Sequence, residues 1–237
     1  MKENWIKATI VERIQESKDV FILRVKPEQT IEYITGEFVM LAVPEHNNDA
    51  GNPIKKAFSI TTCCHKHYTD YIEFCIKIFE SGALSPKLGS LKVGDTLLID
   101  GPYGKFTMDE HGHDLVFIAG GTGIAPMMAF MRNLLNNESK RNITLLYSTR
   151  TKADQLYDEE LQHIASDYEN IKFVISLTQE KGAQESGRIN MDMIKKYVPE
   201  LNDKTFFICG PLGMVKELKT SLLENSVVKD QIKTDVW

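Results

Sequence analysis

Apolar and polar positions divide the chain into two textures. Over the first hundred residues the apolar positions fall in short runs rich in β-branched and aromatic residues, separated by polar turns. Trp5–Val11, Val20–Val25, Gly36–Val43, Ala57–Thr62, Tyr71–Ile78 and Thr96–Asp100 read as strands. Six short strands with turns between them predict a small antiparallel barrel. The stretch from Glu45 to Pro53 holds Asn, Asp and Gly and predicts an exposed loop. A helix is expected from Ser85 to Leu91, with Ser85 as N-cap and Pro86 at its first position.

After Gly101–Phe106 and the polar linker Thr107–His113 the texture changes. Apolar strand-length runs at Leu115–Ala119, Ile143–Tyr147, Ile171–Leu177 and Thr205–Cys209 alternate with helical patterns. The helices are expected near Ala125–Asn136, Leu156–Ala165, Asp192–Tyr197 and Met214–Asn225. Such alternation implies a parallel sheet covered by helices. The expected organisation is two domains, an antiparallel β-barrel over 1–107 and a parallel-sheet α/β domain over 108–237.

Composition changes this picture little. A chain of 237 residues with 42% hydrophobic and 26% charged residues fits a globular protein with real cores. The net charge of −5 argues against nucleic acid as a main partner. No apolar run approaches membrane-spanning length and the first residues lack a signal-peptide core, so a cytoplasmic protein is expected. Cys63, Cys64, Cys75 and Cys209 have neither zinc nor iron–sulfur spacing. His65-x-His67 and His111-x-His113 sit in polar loops without further ligands nearby, so no metal is expected.

The candidate chemistry centres on Leu115–Met128. An apolar strand is followed by Gly120, Gly121, Thr122 and Gly123, then by Pro126 at a helix start. Glycines let a backbone approach a phosphate, and a helix N-terminus supplies N–H donors and positive partial charge. The spacing is not that of the G-x-G-x-x-G fingerprint, and by itself such a turn is also a plain tight connection.

Four further motifs stand in order around it: Lys56-Ala57-Phe58-Ser59; Ile76-Lys77-Ile78 with Gly82-Ala83-Leu84-Ser85; Gly101-Pro102-Tyr103-Gly104-Lys105-Phe106; and Cys209-Gly210-Pro211. Across nearly the whole chain this order resembles the ferredoxin–NADP reductase-like flavoenzymes. The resemblance implies an FAD-binding barrel followed by an NAD(P)-binding domain, and an oxidoreductase that moves a hydride between NAD(P)H and FAD.

It also implies roles residue by residue. Lys56 would pair with the FAD pyrophosphate, Phe58 would stack on the flavin, and Ser59 would sit near flavin N5. Here Lys replaces the family's Arg and Phe its Tyr; Lys lacks the bidentate fork. Ile76, Lys77 and Ile78 would hold the ribityl side, and Gly82 to Ser85 the FAD phosphate. Gly101 to Phe106 reads as a structural turn. Gly120, Gly121, Thr122, Gly123 and Pro126 would cradle the nicotinamide dinucleotide. Arg150, at the end of the next strand, stands where relatives meet a 2′-phosphate, yet Thr178-Gln179-Glu180 supply no second cation, so NADH against NADPH stays open. Cys209, Gly210 and Pro211 would adjoin the nicotinamide. Trp237 would cover the flavin, and Asp235 would serve in proton or electron transfer. The expected partner is a redox protein, ferredoxin or flavodoxin, with the chain itself a monomer. Alternatives are a flavin reductase, the reductase component of an oxygenase, and a non-catalytic nucleotide-sensing module.

Overall fold

A computed structural model of the chain describes residues 4–63, 70–109 and 112–236. The chain forms two compact units, Met1–Met108 with Met128–Asn136, and Asp109–Met127 with Asn137–Trp237.

The first unit contains β1 (Ile6–Ser17), β2 (Val20–Pro27), β3 (Phe38–Asn47), β4 (Pro53–Ser59), β5 (Ile72–Lys77), α1 (Ser85–Gly89) and β6 (Thr96–Tyr103). These strands form one antiparallel sheet in the order β4-β3-β6-β1-β2-β5. Alternate residues of each strand point inward, and β2 and β5 are buried on their outer side as well. Ala8 and Ile10, Phe21 and Leu23, Phe74 and Ile76, and Leu97 and Ile99 fill the interior. Beyond β4 the Thr61 N–H donates to the Glu73 carbonyl of β5 at 2.9 Å, so the two end strands of the sheet converge.

The β3–β4 hairpin is longer than the pattern predicts. Asn47 pairs with Pro53, and the expected loop shrinks to a tip. There the Asn48 side-chain oxygen accepts from the N–H groups of Ala50 and Asn52, both at 3.0 Å, an Asx turn that lets the strands extend. β4 correspondingly ends at Ser59 rather than Thr62, because Ile60 and Thr61 turn to bond Glu37 and Glu73.

The second unit contains β7 (Asp114–Gly120), the start of α2 (Ile124–Asn136), β8 (Ile143–Thr149), α3 (Asp158–Asp167), β9 (Ile171–Leu177), β10 (Glu185–Ser186), α4 (Met191–Tyr197), β11 (Lys204–Gly210), α5 (Leu212–Glu224) and β12 (Ile232–Val236). Its sheet is parallel, in the order β10-β9-β8-β7-β11-β12. Val116, Ile118, Leu146, Val174, Phe206 and Ile208 pack against Ile194 of α4 and Leu218 and Leu222 of α5. The near-continuous apolar strands follow from burial on both sheet faces. β10 and β12 are not legible in the pattern: one has two residues, and the other, Ile-Lys-Thr-Asp-Val, has a single buried position. The fold is thus an antiparallel β unit followed by a parallel α/β unit.

From Met128 onward α2 belongs to the first unit. Phe130 lies against Phe106 with ring centroids 5.6 Å apart. Gly36, at φ +100°, lies under both: a Cβ there would stand 2.1 Å from the Phe106 carbonyl oxygen and 2.6 Å from the Phe130 ring. Arg132 donates to Glu73 Oε1 and to the Thr61 carbonyl, at 2.8 and 2.9 Å. Glu73 also accepts from Thr61 Oγ1 and from Arg24 Nε, both at 2.8 Å. Its side chain is only 1% exposed. Burial alone would raise its pKa; the two guanidinium groups and the Thr61 hydroxyl outweigh that and hold the carboxylate below its ordinary range.

Candidate functional site

In the parallel sheet the chain leaves β7 in one direction, through β8 to β9, and later adds β11 and β12 on the other side. The reversal falls between β7 and β11. In open α/β sheets ligands bind at such a switch point, outside the carboxyl ends of the strands.

The glycine turn occupies that position. β7 ends at Gly120, Gly121–Gly123 form a single 3-10 turn, and α2 starts at Ile124. Pro126 is the third helical residue and is buried; its missing N–H falls in the first turn, where no intrahelical acceptor is required. Gly121 has φ +55°. Gly123 packs on β11 so closely that a Cβ would meet the Cys209 carbonyl oxygen at 2.2 Å. The first N–H groups of this helical stretch therefore open at the strand ends, with Thr122 half-buried among them. A phosphate diester fits this donor set, which is rich in N–H groups and holds no carboxylate between Leu115 and Met128.

β11 brings Cys209 and Gly210 to the same edge, Cys209 opposite Ala119 of β7 on one side and Asp235 of β12 on the other. Cys209 is 3% exposed. Burial, and then the neighbouring Asp235 carboxylate, push its thiol far above the ordinary range. Burial likewise raises Asp235, although the Val236 N–H donates to it at 3.0 Å. Pro211 is exposed and leads into α5.

At the end of β8, Arg150 is exposed and its Nη2 lies 3.0 Å from Asp154 Oδ1. The pairing continues past the strands, with Thr178 N–H on the Thr149 carbonyl and Gln179 N–H on the Arg150 carbonyl, at 2.9 and 2.8 Å. The pattern gave no sign of Asp154; its spacing from Arg150 is that of an ordinary surface pair.

In the first unit Lys56 and Ala57 are exposed on the end strand β4, while Phe58 is half-buried against the barrel core and Ser59 lies opposite Phe38. An exposed cation next to a partly exposed aromatic fits an anionic, planar ligand such as FAD. On β5 the Ile76 side chain points into the core, so a ligand would meet only its backbone. The Lys77 ammonium pairs with Asp19 at 3.1 Å, and Ile78 N–H donates to the Asp19 carbonyl at 2.7 Å.

Ser85 is not an N-cap. Leu84, a buried core residue, holds that position, and Ser85 is the first residue of α1. Its hydroxyl instead closes the preceding turn, accepting from the Phe79 N–H at 2.9 Å and donating to the Phe79 carbonyl at 3.3 Å. Gly82 sits inside this turn, and the Ala83 carbonyl bonds the His46 ring at 2.7 Å. Trp237, His65, His67 and His111 lie outside the described residues.

Residues 7–108 match the oxidoreductase FAD-binding domain family, and residues 117–220 the oxidoreductase NAD-binding domain family. The reductase component of propane 2-monooxygenase from Mycolicibacterium smegmatis is 29% identical over 230 residues, 93% of this chain and 64% of that protein. NADH-cytochrome b5 reductase 1 from Laccaria bicolor is 36% identical over 174 residues, 70% of this chain and 56% of that protein. The chain thus spans under two thirds of the length of both relatives. Among solved structures, the cytochrome b5 reductase domain of Ulva prolifera nitrate reductase superposes with a TM-score of 0.83 at 26% identity, over 99% of this chain and 97% of that one.

Proposed function

Because the chain belongs to the ferredoxin reductase-like family of FAD- and NAD(P)-binding oxidoreductases, we propose that it couples hydride exchange with a nicotinamide dinucleotide to single-electron exchange with an external redox protein. The observation that carries the reading is the glycine turn at the β7–β11 switch point, with Cys209 packed behind it.

When bound, FAD supplies the redox chemistry, joining a two-electron donor to a one-electron acceptor. The protein's part is binding and orientation. In this reading Lys56 neutralises the FAD pyrophosphate, and Phe58 offers a ring face to the isoalloxazine. Ser59, the backbone of Ile76–Ile78 and the Gly82–Ser85 turn complete the flavin site. Gly120–Gly123 and the start of α2, with Pro126, hold the dinucleotide pyrophosphate, and Thr122, Cys209, Gly210 and Pro211 flank the nicotinamide. A neutral, buried Cys209 thiol gives that ring a small polarizable neighbour and no competing charge. Asp235, the register partner of Cys209, takes the proton-handling role. In this reading residues 1–107, completed by 128–136, form the flavin module, and the remainder of 108–237 the nucleotide module.

Ferredoxin and flavodoxin are one class of acceptor for this chemistry. A second reading is the reductase component of an oxygenase; its support is the 29% identity to the propane monooxygenase reductase over 93% of the chain. An anaerobic titration tests the core of both. Flavin absorbance should bleach on adding NADH or NADPH to the purified protein. A flavin that neither nucleotide bleaches would overturn the proposal, and a colourless protein that reduces added flavin would make flavin a substrate.

A further inference from the structure

Ser59 is the last residue of β4 to pair with β3, opposite Phe38, and past it that ladder ends. The chain nevertheless runs on in a fixed course. The Ile60 N–H donates to the Glu37 carbonyl at 3.0 Å, and the Thr61 N–H to the Glu73 carbonyl at 2.9 Å. Ile60, Thr61 and Thr62 are all buried. A buried backbone carbonyl needs a donor. The Thr61 carbonyl finds one on α2, in Arg132 Nη1 at 2.9 Å.

The same Nη1 donates to Glu73 Oε1 at 2.8 Å, and the Thr61 hydroxyl donates to that oxygen at 2.8 Å. Glu73 is itself immobile: it is 1% exposed and tied to Arg24. Thr61 is thus held by its N–H, its hydroxyl and its carbonyl. One turn further along α2, Asn136 Nδ2 donates to Cys63 Sγ at 3.1 Å. Arg132 and Asn136 share a face of the helix, and Thr61 and Cys63 share a side of an extended chain. The two periods match, so one face of α2 grips the segment in one register.

We infer that Arg132 is a positioning residue for the flavin site: anchored on Glu73, it fixes the segment that follows Ser59 and so the place of the Ser59 hydroxyl, an inference that rests on the reading of Ser59 as a flavin neighbour. Without the guanidinium, the buried Thr61 carbonyl and one Glu73 oxygen lose a donor, and the segment shifts to recover one. Ser59 lies two residues away and moves with it. Hydride transfer is steep in geometry, since a misplacement of about 1 Å costs on the order of 10²-fold.

A mutant cycle with Ser59 tests this on the FAD-loaded protein. The variant R132Q/E73Q removes the anchor without leaving a buried carboxylate short of a partner, and Arg24 keeps Glu12 at 2.7 Å. Stopped-flow flavin reduction, by whichever of NADH and NADPH bleaches the parent, should slow about tenfold in this variant. The nucleotide concentration at half-maximal rate should move less than about twofold. S59A should slow by a similar factor, and the triple variant R132Q/E73Q/S59A should stay within about twofold of S59A, because both changes act through one hydroxyl. The flavin midpoint potential, read by dye equilibration, should shift in the same direction in R132Q/E73Q and S59A and no further in the triple variant. Losses that multiply in the triple variant, or a folded R132Q/E73Q that keeps the parent's rate, overturn the inference. If R132Q/E73Q does not fold, R132K, which keeps a charge on Glu73, takes its place in the cycle with a loss of about threefold, and the same multiplication overturns the inference. An S59A protein that matches the parent in rate and potential overturns the flavin reading of Ser59, and a flavin that neither nucleotide bleaches overturns the proposed function; the inference falls with either.

Discussion

Cys209 and Asp235 are register partners in the parallel β11–β12 pair, so their side chains share one face of the sheet. Burial pushes both toward their protonated forms, and the Asp235 carboxylate further disfavours a thiolate at Cys209. Cys209 is thus a spacer with a proton on it, not a nucleophile. At pH 8 iodoacetamide should label the half-buried Cys63 at least about tenfold faster than Cys209 in the folded protein, as read by peptide mass spectrometry. Fast labelling of Cys209 would contradict its assignment as an inert thiol.

The same pair sets a pH dependence. A carboxyl whose folded pKa is raised binds its proton more tightly in the folded state. Its stabilising contribution is complete below the ordinary carboxylate range and is lost as pH rises through the folded value. Asp235→Asn should therefore gain stability relative to the parent as pH goes from acidic to neutral, measured by urea unfolding along a pH series. A difference that stays constant with pH would show that Asp235 titrates at its ordinary value.

Glu73 has the opposite sign. Its pKa is lowered, so its contribution is present above the ordinary carboxylate range and is lost as pH falls through the folded value. Glu73→Ala leaves two guanidinium groups facing a vacancy and should cost about 3–5 kcal/mol at neutral pH. The variant should also show a shallower loss of stability in acid. Denaturation midpoints at pH 7 and pH 4 test both effects.

Two glycines of the cradle should respond differently to one methyl group. At Gly123 the new Cβ meets the Cys209 backbone at 2.2 Å, and backbone cannot step aside cheaply. Gly123→Ala should cost about 3 kcal/mol and lose nucleotide binding. At Gly120 the nearest atom is Met214 Sδ at 2.9 Å, the far end of a flexible side chain. Gly120→Ala should cost about 1 kcal/mol. Thermal unfolding with and without ADP-ribose would rank them, and equal losses would contradict the packing argument.

Lys56 offers the flavin pyrophosphate a single point charge. Lys56→Arg should slow FAD loss during dialysis about fivefold, and Lys56→Ala should speed it by a similar factor. Retention of FAD that ignores both changes would remove Lys56 from the site.

The larger elements were legible because their apolar patterns are strong: β7, β8 and β11 are buried on both sheet faces, and β9 largely so apart from exposed Lys172. The short edge strands were not, since β12 has only one buried residue to announce it. Ser85 misled for a chemical reason. A serine before a helix-start proline has N-cap chemistry, yet its hydroxyl is taken by Phe79, six residues back, and local spacing cannot express that bond. The glycine turn and the Cys209 motif could be read in order along the chain, but their meeting at one strand edge depends on topology. Glu180 stands twenty-eight residues from Lys152, and only the β8–β9 register makes them neighbours.

Helix α2 has a consequence for how this protein can be rebuilt. Its residues from Met128 onward complete the flavin-side unit, and Arg132 among them neutralises Glu73. A chimera joined at residue 108 would import a foreign helix into the native barrel unit and take from buried Glu73 one of its two guanidinium partners, leaving Arg24 alone. Crossovers between relatives should succeed when residues 128–136 travel with the first 108, so that one module is inherited as two separate stretches of gene.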